Sequence, residues 1–158
     1  MTKFLCADTG FLRALYLTGD GRHTGARKLF DELFERGTNR LLVAWPVLYE
    51  TLNSEMSQYQ QADLLDREWR RLHKGKQIEY LDDRPYRADA FAEWRGEPER
   101  GRAHFRKLSL VDRVLRNLLW SANEPQQPKV HGLLTYDLKD FKDVCEQKQI
   151  KIFPRVSA

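Results

Sequence analysis

The chain predicts an α/β fold: a mostly parallel sheet of four to five strands with helices on both faces. Short apolar runs of strand length alternate with segments whose apolar residues recur at helical spacing. That is the pattern of a parallel sheet with helical crossovers. In addition, an acidic residue stands at four places where a strand gives way to a helix or within the helix's first turns: Asp8, Glu50, Asp112 and Asp137. In an open α/β sheet the carboxyl ends of the strands share one edge, and ligands bind there.

The first strand is Phe4 to Ala7, an apolar run that stops at Asp8. A helix is expected from Gly10 to Leu17, ended by the Gly19-Asp20-Gly21 turn. Ala26, Leu29, Phe30, Leu33 and Phe34 then recur at helical spacing, predicting a helix over Gly25–Arg36 with Thr24 as its cap and Gly37 at its close. Arg40 to Trp45 reads as a second strand, and Pro46 suits the first position of a helix. On that helix Glu50 and Asn53 share a face, while Leu48, Leu52 and Met56 form an apolar stripe.

The middle of the chain, about 58–107, is more charged. It predicts a helix over Gln61–His73, a strand over Gln77–Leu81, a short helix over Ala88–Trp94 and a loop over Gly96–Gly101. From Ser109 the apolar set Leu110, Val111, Val114, Leu115, Leu118 and Leu119 predicts another helix. A strand over Val130–Thr135, a helix over Leu138–Gln147 and a closing strand over Ile150–Phe153 complete the pattern.

A length of 158 residues, 41% of them hydrophobic and 32% charged, suits one globular domain over 1–158. The net charge of +4 is compatible with a polyanionic partner, with the positive surface lying away from the acids. Cys6 and Cys145 are too few for a disulfide framework and lack zinc-like spacing with the histidines. An acid stands where a signal peptide needs an apolar run, and no stretch reaches membrane-spanning length, so a cytoplasmic protein is expected.

Each acid also has a structural reading. Asp8 can cap a helix, and Glu50 can face solvent. Ser109-Leu-Val-Asp112 has the form of a capping box, and Asp137 can form an Asx turn. As a set they point to a hard divalent cation, because four converging carboxylates repel one another unless a cation neutralises them.

The quoted segments also resemble a known family. Asp8-Thr9-Gly10 after the first strand, Glu50-Thr-Leu-Asn53, Ser109-Leu-Val-Asp112 and Leu133-Leu-Thr135-Tyr-Asp137 followed by Phe141 are similar to the motifs of PIN domains, above all the ribonuclease toxins of the VapC type. The resemblance frames residues 3–57 and 108–154 and departs in the longer middle segment. It implies a three-layer α/β/α PIN-like nuclease domain, and Mg²⁺ or Mn²⁺ held by Asp8, Asp112, Asp137 and Glu50. It also implies hydrolysis of RNA phosphodiester bonds, a small antitoxin as partner and a homodimer.

Thr9, Thr135 and Asn53 are expected as supporting neighbours of the acids, and Arg113 and Arg116 as contacts to the RNA strand. Two basic runs could also meet RNA: Arg67, Arg70, Arg71, Lys74 and Lys76, then Arg100, Arg102, Arg106 and Lys107, with Trp69 and Trp94 nearby to stack on bases. The interleaved acids Asp63, Asp66 and Glu68 favour instead a solvated helix face with its aromatics in the core. The alternative functions are a non-catalytic PIN-like module that binds RNA or protein, and a stand-alone nuclease without an antitoxin. A covalent phosphatase is disfavoured because Gly10 stands where a second acid is needed, and no G-x-G-x-x-G follows the first strand to bind a dinucleotide.

Overall fold

The computed structural model describes residues 1–53, 55–96 and 108–155. The strands are β1 (Phe4–Ala7), β2 (Arg40–Ala44), β3 (Ile78–Leu81), β4 (Gly132–Leu134) and β5 (Lys151–Phe153). All pair in parallel, in the order β3-β2-β1-β4-β5. Among the described residues seven helices flank this sheet in α/β/α layers: α1 (Thr9–Tyr16), α2 (His23–Phe34), α3 (Trp45–Thr51), α4 (Tyr59–Lys74), α5 (Arg84–Gly96), α6 (Leu110–Ser121) and α7 (Leu138–Gln147). The expected parallel sheet is therefore present, with five strands. No helix among the described residues is long and apolar enough to cross a membrane.

The strand order places the site. From central β1 the chain builds outward through β2 and β3, then returns to the other side of β1 for β4 and β5. The direction of winding reverses between β1 and β4, and such a reversal opens a crevice at the carboxyl ends of the two strands. The register aligns Ala7 with Leu134, so Asp8 and Thr135 emerge side by side. The Asp8 N–H donates to the Leu134 carbonyl at 3.1 Å, closing the ladder at that point.

Close packing explains the rest of the sheet. Leu5, Cys6, Leu41, Leu42, Val43, Leu133 and Leu134 are almost fully buried, as expected for strands covered on both faces. Gly132 is required where β4 enters between β1 and β5. A Cβ there would lie 2.8 Å from Leu5 Cδ2 and 2.9 Å from Phe153 Cε2. Phe30 and Phe34, one turn apart on α2, stack at 4.4 Å and seal the helix against the sheet. Cys6 and Cys145 are buried free thiols, each pushed up to about 12 chiefly by burial.

Several local expectations need correction. Thr24 does not cap α2: the Asp20 carboxylate accepts from the Arg22 N–H at 2.8 Å and its carbonyl from the His23 N–H at 3.0 Å, so the helix starts at His23. The stripe after β2 breaks at Leu52, because α3 ends at Thr51 and leaves Leu52 exposed while Leu48 and Met56 are buried. Helix α5 is longer than expected. It begins at Arg84 because Pro85 in a first turn sacrifices no hydrogen bond, and Asp82 accepts from the Arg84 N–H at 3.1 Å. Gly96 ends α5; the rest of the loop expected to Gly101 lies outside the described residues, as does the basic run Arg100, Arg102, Arg106 and Lys107.

Candidate metal-dependent active site

Asp8 occupies the crevice beside β1. Its backbone is extended (φ −89°, ψ 172°), as a residue before a helix must be, and its Oδ1 accepts the Phe11 N–H at 2.8 Å as the α1 cap. Its Oδ2 accepts the hydroxyl proton of Thr135. Capping leaves each carboxylate oxygen a further lone pair with which to accept from a ligand. The side chain is 1% exposed. Burial lifts its carboxyl to about 7; the charges of Asp112 and Asp137 add to the rise, and the two hydrogen bonds oppose it.

Thr135 joins the two strand ends. Its Oγ1 donates to Asp8 and accepts the Asp137 N–H at 2.9 Å. That second bond sets the backbone of Asp137, whose own carboxylate does not cap α7. The Asx turn considered for Asp137 is thus replaced by a turn closed by the threonine hydroxyl. Asp137 is exposed, facing the crevice from the β4 side. A Cβ built at Gly10 would meet Asp137 Oδ2 at 3.7 Å and Asp8 Oδ1 at 3.8 Å, so both carboxylates converge on the same glycine.

Asp112 stands in the first turn of α6, where the Ser109 hydroxyl accepts its N–H at 3.1 Å. It is 9% exposed. Burial lifts its carboxyl to about 6; the charges of Asp140, Glu50 and Asp137 add, while a hydrogen bond from Ser109 opposes. The half-buried Glu50, on α3, is therefore within electrostatic reach of Asp112. Asp8, Glu50, Asp112 and Asp137 come from four separate stretches of chain and meet in one field of like charge.

Asp140 joins the same field and was not singled out from the sequence. It stands in the first turn of α7, three residues after the non-helical cap Asp137, whose carbonyl accepts its N–H at 3.1 Å. The expected neighbours divide. Thr9 is buried and its Oγ1 has no hydrogen-bond partner, an orphaned polar atom directly beside Asp8 in sequence. Asn53 lies outside α3, and its Oδ1 accepts the N–H groups of Glu55 at 3.1 Å and Met56 at 3.2 Å, forming a turn rather than orienting Glu50.

The expected RNA-contacting arginines are placed differently from one another. Arg116 reaches across to α7, where its guanidinium pairs with Asp143 at 2.7 and 2.8 Å and also donates to the Asp140 carbonyl. Arg113 donates to the Leu108 carbonyl at 3.2 Å beside Asp112. In the first basic run, Arg67 and Arg70 pair one turn back with Asp63 at 3.4 Å and Asp66 at 2.8 Å. Trp69 is buried, its indole N–H donating to the Tyr80 hydroxyl at 2.7 Å, and Trp94 is 38% exposed.

The donor set is all hard oxygen, which suits Mg²⁺ or Mn²⁺. Among the described residues no three carboxylates, imidazoles or thiols lie close enough to chelate an ion unaided. The lifted carboxyls of Asp8 and Asp112 mark the crevice as a candidate ligand site.

No family model matches the chain, and no curated protein matches it in sequence. Among solved structures it is similar to VapC20 of Mycobacterium tuberculosis, described as a toxin that cleaves the sarcin–ricin loop. The TM-score is 0.61 at 16% identity, covering 88% of this chain and 94% of that one. The chain has a VapC-like PIN fold. At that identity the likeness is one of fold. Within this PIN fold the acids stand at the β1/β4 crevice and on the two helices, α3 and α6, that border it.

Proposed function

We propose that this chain is a metal-dependent endoribonuclease, the toxin of a toxin–antitoxin pair, acting in the cytoplasm and held in check by a small antitoxin. The observation that carries the reading is the convergence of Asp8, Glu50, Asp112 and Asp137 on one crevice, with burial and mutual repulsion lifting two of them. Asp8 and Asp112 would anchor Mg²⁺ or Mn²⁺, with Asp137 and Glu50 binding directly or through coordinated water. When bound, such an ion lowers the pKa of a water and offsets charge on the phosphoryl oxygens.

The chain's own groups do the rest. The Phe11 N–H and the Thr135 hydroxyl hold Asp8 in one orientation, so the anchor needs no reorganisation. Glu50, half-buried at the crevice wall, accepts the proton of an attacking water. Arg113, beside Asp112, meets the RNA backbone. The toxin role and a homodimer rest on the likeness to VapC proteins.

The test is cleavage of a mixed pool of structured and single-stranded RNAs, a sarcin–ricin loop hairpin among them, by purified protein with Mn²⁺ or Mg²⁺. EDTA and the Asp8→Asn/Asp112→Asn double variant run beside it. Cutting should disappear with EDTA and fall by at least about 10²-fold in the variant. Undiminished cutting by the variant would place the chemistry elsewhere. Absence of both cutting and calorimetric Mn²⁺ binding would leave the non-catalytic RNA- or protein-binding module.

A further inference from the structure

The exposed face of α3 is apolar where solvent-facing helices are polar. On α3, which also carries Glu50, Trp45 is 39% exposed and Tyr49 68%, and Leu52 just past its end is 42% exposed. The rings are organised. Trp45 stacks on Tyr80 with centroids 4.8 Å apart and planes 20° from parallel. Tyr49 continues the row beyond Trp45 at 6.1 Å, and His73 extends it on the other side of Tyr80 at 5.6 Å. The row is braced from behind: the Tyr80 hydroxyl accepts from buried Trp69 and lies 2.8 Å from His73 Nε2.

We propose that the ring row His73–Tyr80–Trp45–Tyr49 is a stacking platform for unpaired RNA bases, leading a single strand to the carboxylate crevice. This rests on the nuclease reading and names the form of RNA it takes. Three features favour RNA as the occupant. Its last ring, Tyr49, is the most exposed, and it stands on α3, the helix that also carries Glu50. Its other end is followed in the chain by Lys74 and Lys76, both exposed, which supply the charge a phosphate backbone needs. Tyr49, at the open end of the row, keeps ring surface free for a base, and the stacked rings behind it are already ordered, so stacking there costs little entropy. Duplex RNA keeps its bases stacked on one another and cannot use such a platform.

The test measures binding in EDTA, where cleavage is absent, to a 12-nucleotide single-stranded RNA carrying 2-aminopurine and to the same sequence as a duplex. Wild-type protein should prefer the single strand and quench the 2-aminopurine. Tyr49→Ala should bind it roughly 5- to 100-fold more weakly and lose the quenching, with Tyr49→Phe restoring both. Trp45→Ala should act likewise, and thermal melts of each variant confirm folding; Tyr49 is exposed enough that its removal leaves the core intact. Unchanged affinity and quenching in Tyr49→Ala, with wild-type RNA cleavage still dependent on Asp8, would overturn the platform and leave the nuclease standing. Ring-dependent binding without any metal-dependent cleavage would keep the platform and overturn the nuclease. If Tyr49→Ala instead turns a dimer into a monomer by light scattering with RNA affinity unchanged, the face is a contact between copies of the chain and the proposal fails.

Discussion

Two buried acids in this molecule are treated in opposite ways. Glu68 on α4 is 8% exposed and lies between the Tyr16 hydroxyl at 2.6 Å and the Arg27 guanidinium at 2.6 Å. Its charge is answered on the spot, and the ion pair ties α4 to α2. Asp8 is 1% exposed and, among the described residues, has no arginine or lysine paired with it; the charges acting on it are those of other acids. A carboxylate buried with a cation is part of the framework, and its loss leaves an uncompensated charge. A carboxylate buried among other carboxylates costs stability until something positive arrives, which is the property expected of a binding site.

The comparison can be broken by removing the charge at each position. Glu68→Gln should leave the half-buried Arg27 with the longer contact to Asp31 at 3.2 Å as its remaining ion pair. A loss of about 2–3 kcal/mol is expected, below the range for fully buried pairs because Arg27 is partly exposed. The melting temperature should fall by about 5–10 °C with Mn²⁺ affinity unaltered. An unchanged melt would show that the pair carries no structural weight.

Asp8 should behave in the reverse sense. Its folded pKa, about 7, lies above its ordinary value of 3.8, so the unfolded chain releases this proton at lower pH than the folded one. The folded state is therefore favoured below pH 4, and that advantage is lost as pH rises through 7. Metal-free protein should melt several degrees lower at pH 8 than at pH 5.5. Asp8→Asn should flatten that slope and be the more stable protein at pH 8, by about 1–3 kcal/mol. Added Mn²⁺ should recover the loss in wild type but not in the variant. A wild-type melt that rises from pH 5.5 to 8 without metal would contradict the picture.

The smallest effect belongs to Asp143, an exposed acid held down to about 2 chiefly by its hydrogen bond from Arg116. Its stabilisation is present above pH 4 and is lost as pH falls through 2. At that exposure Asp143→Asn should cost under about 1 kcal/mol, a shift of roughly 1–3 °C, and only when measured above pH 4. A larger loss would mean that the Arg116 clamp between α6 and α7 also sets the position of Asp112.

Much of this was legible in residue order. Phe4–Ala7 and Leu138–Gln147 are the elements their patterns announce, and Ser109 caps α6 as the Ser-x-x-Asp spacing says. These features arise from contacts within a few residues, where periodicity and capping act. Boundaries slipped where a local competitor was overlooked, as with Asp20 ahead of α2 and Pro85 at the start of α5. Asn53 shows the limit of spacing: three residues from Glu50 implies a shared helix face only if the helix continues, and α3 stops at Thr51.

By itself the sequence determined the alternation of strands and helices, the placing of acids at their junctions and the hard-oxygen character of the donors. Only the tertiary structure decided that Asp8 and Asp137 face one glycine, that Asp140 joins them, and that Arg27 answers Glu68 from 41 residues away. It also drew Arg116 to Asp143 and aligned Trp45 with Tyr80. The physical reason is one of range. Propensity, periodicity and capping are energies between near neighbours in the chain. Burial, charge repulsion and ring stacking depend on which distant segments the sheet order brings together.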